Sequence, residues 1–207
     1  AHFTLTDVAE NSFLYKERVS RGAAGLAGAT GEPAYAVWLE DWSVKQLSTD
    51  RYQLTARHAD VEISLEMVDE KGPVLQGVSG YSQKGPDPGN ASYYISKTRL
   101  RSSGVIRVGE QSYSVSGLSW MDHEFSTSAL APDQVGWDWF SLQLDDRSEL
   151  MVYVIRDQYG QADPYSQGSL IMPDGSIITL KRDDYNIDVV KYWRSPASGA
   201  EYPSAWA

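Results

Sequence analysis

Apolar and polar residues alternate with period two along most of this chain. A segment that alternates in this way can bury one side only as a half-exposed β-strand. Tyr52–Ala56 and Val61–Val68 alternate in this manner, as do Ser92–Leu100, Gly104–Val108 and Tyr113–Glu124. Trp137–Leu144, Leu150–Arg156, Ser169–Met172, Ser176–Leu180 and Ile187–Trp193 either alternate or are rich in β-branched and aromatic residues. Nearer the start, Phe3–Val8, Phe13–Val19 and Tyr35–Val44 carry the same pattern or are rich in β-branched and aromatic residues. Helical periodicity is not sustained over several turns anywhere. Gly109-Glu110, Asp145-Asp146-Arg147 and Pro173-Asp174-Gly175 each sit between two alternating runs, the signature of antiparallel hairpins. The pattern therefore predicts an all-β chain, closed or sandwiched.

Three stretches interrupt the rhythm. Arg21–Gly31 places glycine at 22, 25, 28 and 31 without the order of a dinucleotide loop, and reads as a flexible loop or frayed turn. Lys84–Asn90 is a turn-rich connector. Ser126–Gln134 separates two strand-rich blocks and marks the expected domain boundary, with one domain over 1–130 and a second over 131–207.

Composition removes whole classes of function. The chain has no cysteine among its 207 residues, which excludes disulfides, zinc ribbons, iron–sulfur sites and thiol nucleophiles. A net charge of −10 repels phosphate backbones, so no nucleic-acid partner is expected. No window approaches the ~18 apolar residues of a membrane helix, so no integral span is expected. The chain begins at Ala1 without a methionine, and a cysteine-free sequence suits an oxidising compartment without proving one; localisation stays open, with a periplasmic or secreted location favoured over others. Asn90-Ala91-Ser92 matches a glycosylation acceptor.

Candidate chemistry is concentrated in a few strands. The histidines are His2, His58 and His123, and H-E-x-x-H and G-x-S-x-G are both absent, so no metal or serine-nucleophile motif stands out. The run Ser119–Phe125 holds Asp122, His123 and Glu124 together. On a strand, Asp122 and Glu124 share a side with Trp120, whereas His123 shares the other with Met121 and Phe125, which argues against a metal cluster. Asp138 falls on the side of Phe140, Leu142 and Leu144, with Trp137 and Trp139 opposite. It is either a buried carboxyl with a raised pKa, fit for general-acid work, or a structural partner of a backbone N–H or an arginine. The Trp pairs 38/42 and 137/139 are either barrel packing or a wall of indole faces for a cation or polyene, with Tyr93, Tyr94 and Arg99 adding polar tips.

Several motifs are familiar: HFTLTD at 2–7, RVSRGAAGLAGA at 18–29, VWLEDW at 37–42, ASYYISKTRL at 91–100, SWMDHEF at 119–125 and GWDWFSLQL at 136–144. Together with Trp193-Arg194-Ser195-Pro196, Gly199 and Tyr202-Pro203, they resemble the AttH-like / carotenoid 1,2-hydratase family. The resemblance implies two lipocalin-like antiparallel β-barrels side by side, here lacking the opening strands of the first and the closing strands of the second. It places the family's Asp-His pair on Asp122 and His123. The hydratases have a tryptophan where this sequence has Phe125, and their downstream acid falls on Asp138 or Asp157. The implied function is binding of a hydrophobic, isoprenoid, polyene or lipid-like molecule, with hydration or isomerisation by Asp122, His123 and Asp138. No cofactor is implied. Trp120, Trp137, Trp139 and Tyr153 would line the cavity, joined by Trp38, Trp42 and Tyr94. A non-catalytic lipocalin-type carrier, or a pericyclase acting by confinement, would use the same aromatics without acid–base chemistry.

Overall fold

The structure, a computed structural model, describes residues 1–128 and 130–207, the side chains of 127 and 128 excepted. Ala129, inside the expected break at 126–134, lies outside the described residues. Strands dominate, and among the described residues the helical pieces are two single 3-10 turns, at Ala23–Gly25 and Arg182–Asp184. In order, β1 (His2–Asp7) and β2 (Ser12–Glu17) form a hairpin. Then β3 (Ala27–Thr30), β4 (Ala36–Leu39), β5 (Trp42–Ser48), β6 (Arg51–His58) and β7 (Val61–Asp69) run as an antiparallel meander. The short β8 (Val74–Leu75) and β9 (Tyr81–Gln83) both pair with β10 (Ala91–Val108), which is followed by β11 (Gln111–Ser128). A second meander comprises β12 (Gln134–Gln143), β13 (Glu149–Asp157), β14 (Gln167–Ile171) and β15 (Ile177–Lys181). The last hairpin is β16 (Val189–Arg194) with β17 (Glu201–Trp206). The antiparallel all-β class expected from the alternation is the class observed.

Contacts divide the chain into two units, residues 1–72 with 99–121, and residues 73–98 with 122–207. The 130/131 division read from composition falls inside the second unit. Composition marks turns, but β10 and β11 are long single strands whose halves belong to different units. The two runs expected at Ser92–Leu100 and Gly104–Val108 are likewise one continuous strand.

In the first unit, Phe3, Trp42 and Val61 form a buried cluster, with Leu5, Leu14, Leu39, Ala56 and Ile63 packed against it. Tyr52, Met67 and Leu100 form a second. The run expected at Tyr35–Val44 is two strands, because Glu40 takes a left-handed turn at φ 57°. Arg18 holds that turn: its guanidinium pairs with Asp41 and with Glu40 at 3.3 Å, and lies 4.5 Å from the centre of the Trp42 ring. The glycine-rich stretch expected as a loop becomes a turn and then β3. Gly28 sits opposite Trp38 in register, and a Cβ there would come within 2.5 Å of the indole. Glycine is the residue that lets this ring lie flat on its neighbour strand.

In the second unit, Met151, Val152, Ile155 and Ile171 are buried. Its hairpins reuse one turn device. Asp146 Oδ1 accepts bonds from the Ser148 N–H (2.8 Å) and hydroxyl (2.5 Å), and Asp174 Oδ1 does the same for Ser176 at 2.9 and 2.6 Å. Phe140 meets Trp206 edge-on with centroids 5.2 Å apart.

Candidate functional site

Within the second unit, β10 places small polar residues on one face, at Ser92, Ser96 and Thr98, with Tyr94 among them. The strand period does this, and β11 answers with Asp122 and Glu124 on its matching face. The Ser96 hydroxyl donates to Asp122 Oδ1 at 2.6 Å, and the Tyr94 hydroxyl donates to Asp122 Oδ2 at 3.1 Å. Both bonds continue a chain. Ser169 donates to the Gln76 side-chain oxygen Oε1 at 2.7 Å, and the Gln76 side-chain amide donates to Ser96 at 3.0 Å. On the other branch the Trp139 indole N–H donates to Tyr94 at 3.0 Å. The carboxylate of Asp122 thus terminates two donor chains, one from buried Ser169 and one from Trp139, although Asp122 itself is open to solvent.

Beside it stands an ion pair. Lys84 Nζ lies 2.8 Å from Glu124 Oε1 and also donates to Ser92 at 2.8 Å and Ser82 at 3.1 Å. Ser92 donates to the same Glu124 oxygen at 2.5 Å. Among the described residues, Glu124 Oε2 accepts no hydrogen bond. The ammonium lies over two tyrosine faces, 5.3 Å from the Tyr94 centroid and 5.0 Å from that of Tyr153. Its side chain is only 12% exposed, and the neighbouring 130–134 segment bonds the stretch that carries it. The Gln134 amide donates to the Lys84 carbonyl at 2.7 Å, and Asn90 donates to the Leu130 carbonyl at 3.3 Å.

The meander supplies the remaining wall. Trp139 pairs in register with Tyr153 and Trp137 with Ile155, so these four side chains share one face of β12–β13. The Tyr153 hydroxyl accepts the Gln167 amide at 2.6 Å and shares a 3.0 Å bond with Ser82. Together with Lys84, Tyr94 and Glu124, this face encloses a cavity of about 220 Å³. Burial, reinforced by the charges of Asp122 and Glu124, holds the Tyr94 phenol well above the usual tyrosine range. Burial also pushes Tyr153 up to about 12, against the pull of its bonds to Ser82 and Gln167. Both remain neutral phenols at physiological pH.

The residues singled out from sequence separate as follows. Tyr94, Trp137, Trp139 and Tyr153 line this cavity, and Asp122 adjoins it through Tyr94. His123 is exposed and is not among the residues lining the cavity; its ring is tilted 5.5 Å from Phe125, which does line it. Asp138 lies on the side of β12 away from Trp137 and Trp139, where its carboxylate, 12% exposed, pairs with Arg156. Asp157 closes the turn after β13 by accepting the Tyr159 and Gln161 N–H groups, each at 2.8 Å. Trp38 and Trp42 belong to the first unit, where they border an open groove of about 420 Å³. Trp120 also lies in the first unit's part of β11. Among the described residues no group of three His, Asp or Glu side chains is placed to hold a metal ion.

Lys84, Glu124, Ser82 and Gln167 escaped selection as site residues. Glu124 had a legible signal, because it shares the strand side of Asp122. Lys84 had none, since it sits in a connector whose approach to β11 is set by long-range pairing of β9 with β10.

A family model for AttH-like proteins matches residues 1–207. Comparison with curated proteins finds no match. Among solved structures, a candidate AttH from Nitrosomonas europaea is similar at a TM-score of 0.90 and 30% identity, covering 99% of this chain and 63% of that one. Kievitone hydratase from Nectria haematococca is similar at a TM-score of 0.74 and 13% identity, covering 99% of this chain and 61% of that one, a likeness of fold alone. The chain thus spans less than two thirds of the length of either structure. Both are AttH-like, lipocalin-type folds, the type expected from the motifs. Matched from end to end by the family model, the chain belongs to the AttH-like family.

Proposed function

We propose that the cavity of the second unit binds a small hydrophobic molecule and that Glu124 moves a proton on it, in hydratase- or isomerase-type chemistry. The observation that carries this reading is the geometry of Glu124. One oxygen is pinned by Lys84 and Ser92, while the other accepts no hydrogen bond among the described residues, and the residue lines an aromatic-walled cavity. A carboxylate held in this way is a general base with a fixed direction. In hydration, Glu124 Oε2 takes a proton from a water whose oxygen bonds to one alkene carbon. The same proton then passes to the adjacent carbon, so that one water is added and the carboxylate is restored. Run in reverse, the alcohol loses water. If the proton is taken from carbon instead and returned at the far end of the double bond, the result is isomerisation. Lys84, ion-paired with Glu124 at 2.8 Å, fixes the direction of that carboxylate. Asp122 is a positioning residue that orients the Tyr94 hydroxyl. The hydratase among the structural neighbours agrees with this class of reaction through fold alone.

Deuterium uptake from D2O into the carbon skeleton of β-ionone, an isoprenoid enone, tests the reading by mass spectrometry. Uptake is expected with the unaltered protein and should fall at least ~100-fold in Glu124→Gln, the usual scale for losing a general base. Equal uptake in the variant would remove Glu124 from the chemistry. A molecule that binds without any exchange would favour a carrier, a reading suited to the closed hydrogen-bond network around Tyr94 and Tyr153.

A further inference from the structure

The hydrogen-bond inventory of the same cavity points to the kind of polar group its occupant carries, an inference that rests on the reading above. Among the described residues the charged donor on the wall is already committed, and the Tyr153 hydroxyl shares its bond with Ser82. The three donors of Lys84 go to Glu124, Ser92 and Ser82. Tyr94 gives its proton to Asp122, Trp139 gives its N–H to Tyr94, and the amide nitrogen of Gln167 serves Tyr153 and Ser82. The open ionic position is an acceptor, Glu124 Oε2. The wall also includes Ser126 and Trp137, whose hydroxyl and indole N–H are neutral and can serve an occupant of either polarity.

A carboxylate or phosphate in this cavity would find no unspent cation among the described residues to receive it, and would be buried at a cost. An ammonium would meet Lys84 beside the carboxylate it needs, since that charge is already neutralised at 2.8 Å. A neutral O–H avoids both conflicts and completes the open acceptor with a charge-assisted bond. We infer that the second-unit cavity selects a neutral hydroxyl-bearing hydrophobe, an alcohol whose O–H donates to Glu124 Oε2 while its carbon skeleton lies between Trp137, Trp139 and Tyr153. In the hydration equilibrium this is the hydrated member of the pair, and its hydroxyl sits on the base that made it or removes it. The size is suitable: an apolar cavity of roughly 150 Å³ holds benzene, and this one is about 220 Å³.

Four isosteric probes test the inference by calorimetric titration: 2-naphthalenemethanol, 2-methylnaphthalene, 2-naphthoate and 2-naphthylmethylammonium. The alcohol should bind about 10–100-fold more tightly than the methyl compound, the scale of one hydrogen bond to a charged group. The naphthoate should bind at least ~10-fold more weakly than the alcohol, and the ammonium no more tightly than the alcohol. In Glu124→Gln the preference of alcohol over methyl should shrink about tenfold, to the scale of a neutral bond, and reading it as a ratio to the 2-methylnaphthalene affinity of the same variant cancels any change in the cavity itself. An alcohol no better than the methyl compound overturns the inference and leaves the cavity reading standing, as does a naphthoate or ammonium that binds best. If none of the four binds, the cavity reading falls and this inference falls with it.

Discussion

The two units spend the same residue types differently. In the first, the Trp38 indole N–H ends on the Gly25 carbonyl at 2.8 Å and that of Trp42 on the Arg57 carbonyl at 2.7 Å. Both rings are tied to backbone, and Trp42 is sealed between Phe3 and the Arg18 guanidinium. In the second, the Trp139 N–H ends on a tyrosine hydroxyl that in turn serves a carboxylate, and the ring is 40% exposed on a cavity wall. A tryptophan bonded to backbone is fixed by the fold, whereas one bonded into a side-chain network belongs to a site whose chemistry can change with its members. A Trp-x-Trp or Trp-x-x-x-Trp pattern cannot distinguish these uses.

The contrast can be broken most directly at the rings themselves. Trp42→Ala should cost about 3–5 kcal/mol of stability in urea unfolding, the range for emptying a large buried aromatic site. Trp139→Ala should cost about 1 kcal/mol, the loss of one hydrogen bond and partial burial, while weakening binding of 2-methylnaphthalene. Equal costs would erase the distinction between a packing ring and a wall ring.

Lys84→Met should cost about 1–2 kcal/mol, less than breaking a fully buried pair, because the Glu124 carboxylate left behind is exposed. Combining it with Glu124→Gln should recover part of that loss, since no charge then lacks its partner. A fully additive double variant would show that the pair is not coupled.

Alkaline pH sharpens the same point at the tyrosines. Tyr153 is held protonated up to about 12 in the folded chain, against 10 when unfolded. Its contribution is complete below pH 10 and disappears as pH rises through the folded value, because the unfolded chain gives up the proton first. The decline should amount to roughly 3 kcal/mol between pH 10 and 12, and Tyr153→Phe should flatten it. An unchanged pH slope in the variant would assign the decline to other groups, Tyr94 and Tyr185 among them, both also raised by burial.

The smallest expected effect is in the first unit. Gly28→Ala should cost about 1–3 kcal/mol, as Trp38 is forced off its neighbour strand. Gly31→Ala, whose added Cβ meets nothing within 4 Å, should stay within about 0.5 kcal/mol. Urea midpoints for the two alanine variants make the comparison, and equal values would show that the Trp38 contact costs nothing to disturb.

Much of the fold was legible because it is written locally. Turn residues such as Pro173-Asp174-Gly175 close a hairpin by their own geometry, and alternation assigns a side to each residue, separating His123 from Asp122 and Glu124. The strands that escaped notice, β3, β8, β9 and β17, are short or carry glycine or proline, so their pairing partners, not their own pattern, make them strands. The domain division was hidden for a related reason. Composition marks where a chain turns, and β10 and β11 do not turn where the contacts divide.

The site shows the same boundary between local and long-range information. By itself, the sequence determined the all-β class, the hairpins, the aromatic faces of β12 and the side on which each acidic residue of β11 lies, because period two is a property of the backbone. Only the tertiary structure decided that Lys84 would meet Glu124 between two tyrosines, that Tyr94 would bond Asp122, and that Asp138 would be paired to Arg156 on the far side of its sheet. Those outcomes depend on which strands pair and in what register, and register is settled by the sum of many cross-strand contacts rather than by any residue within the motif.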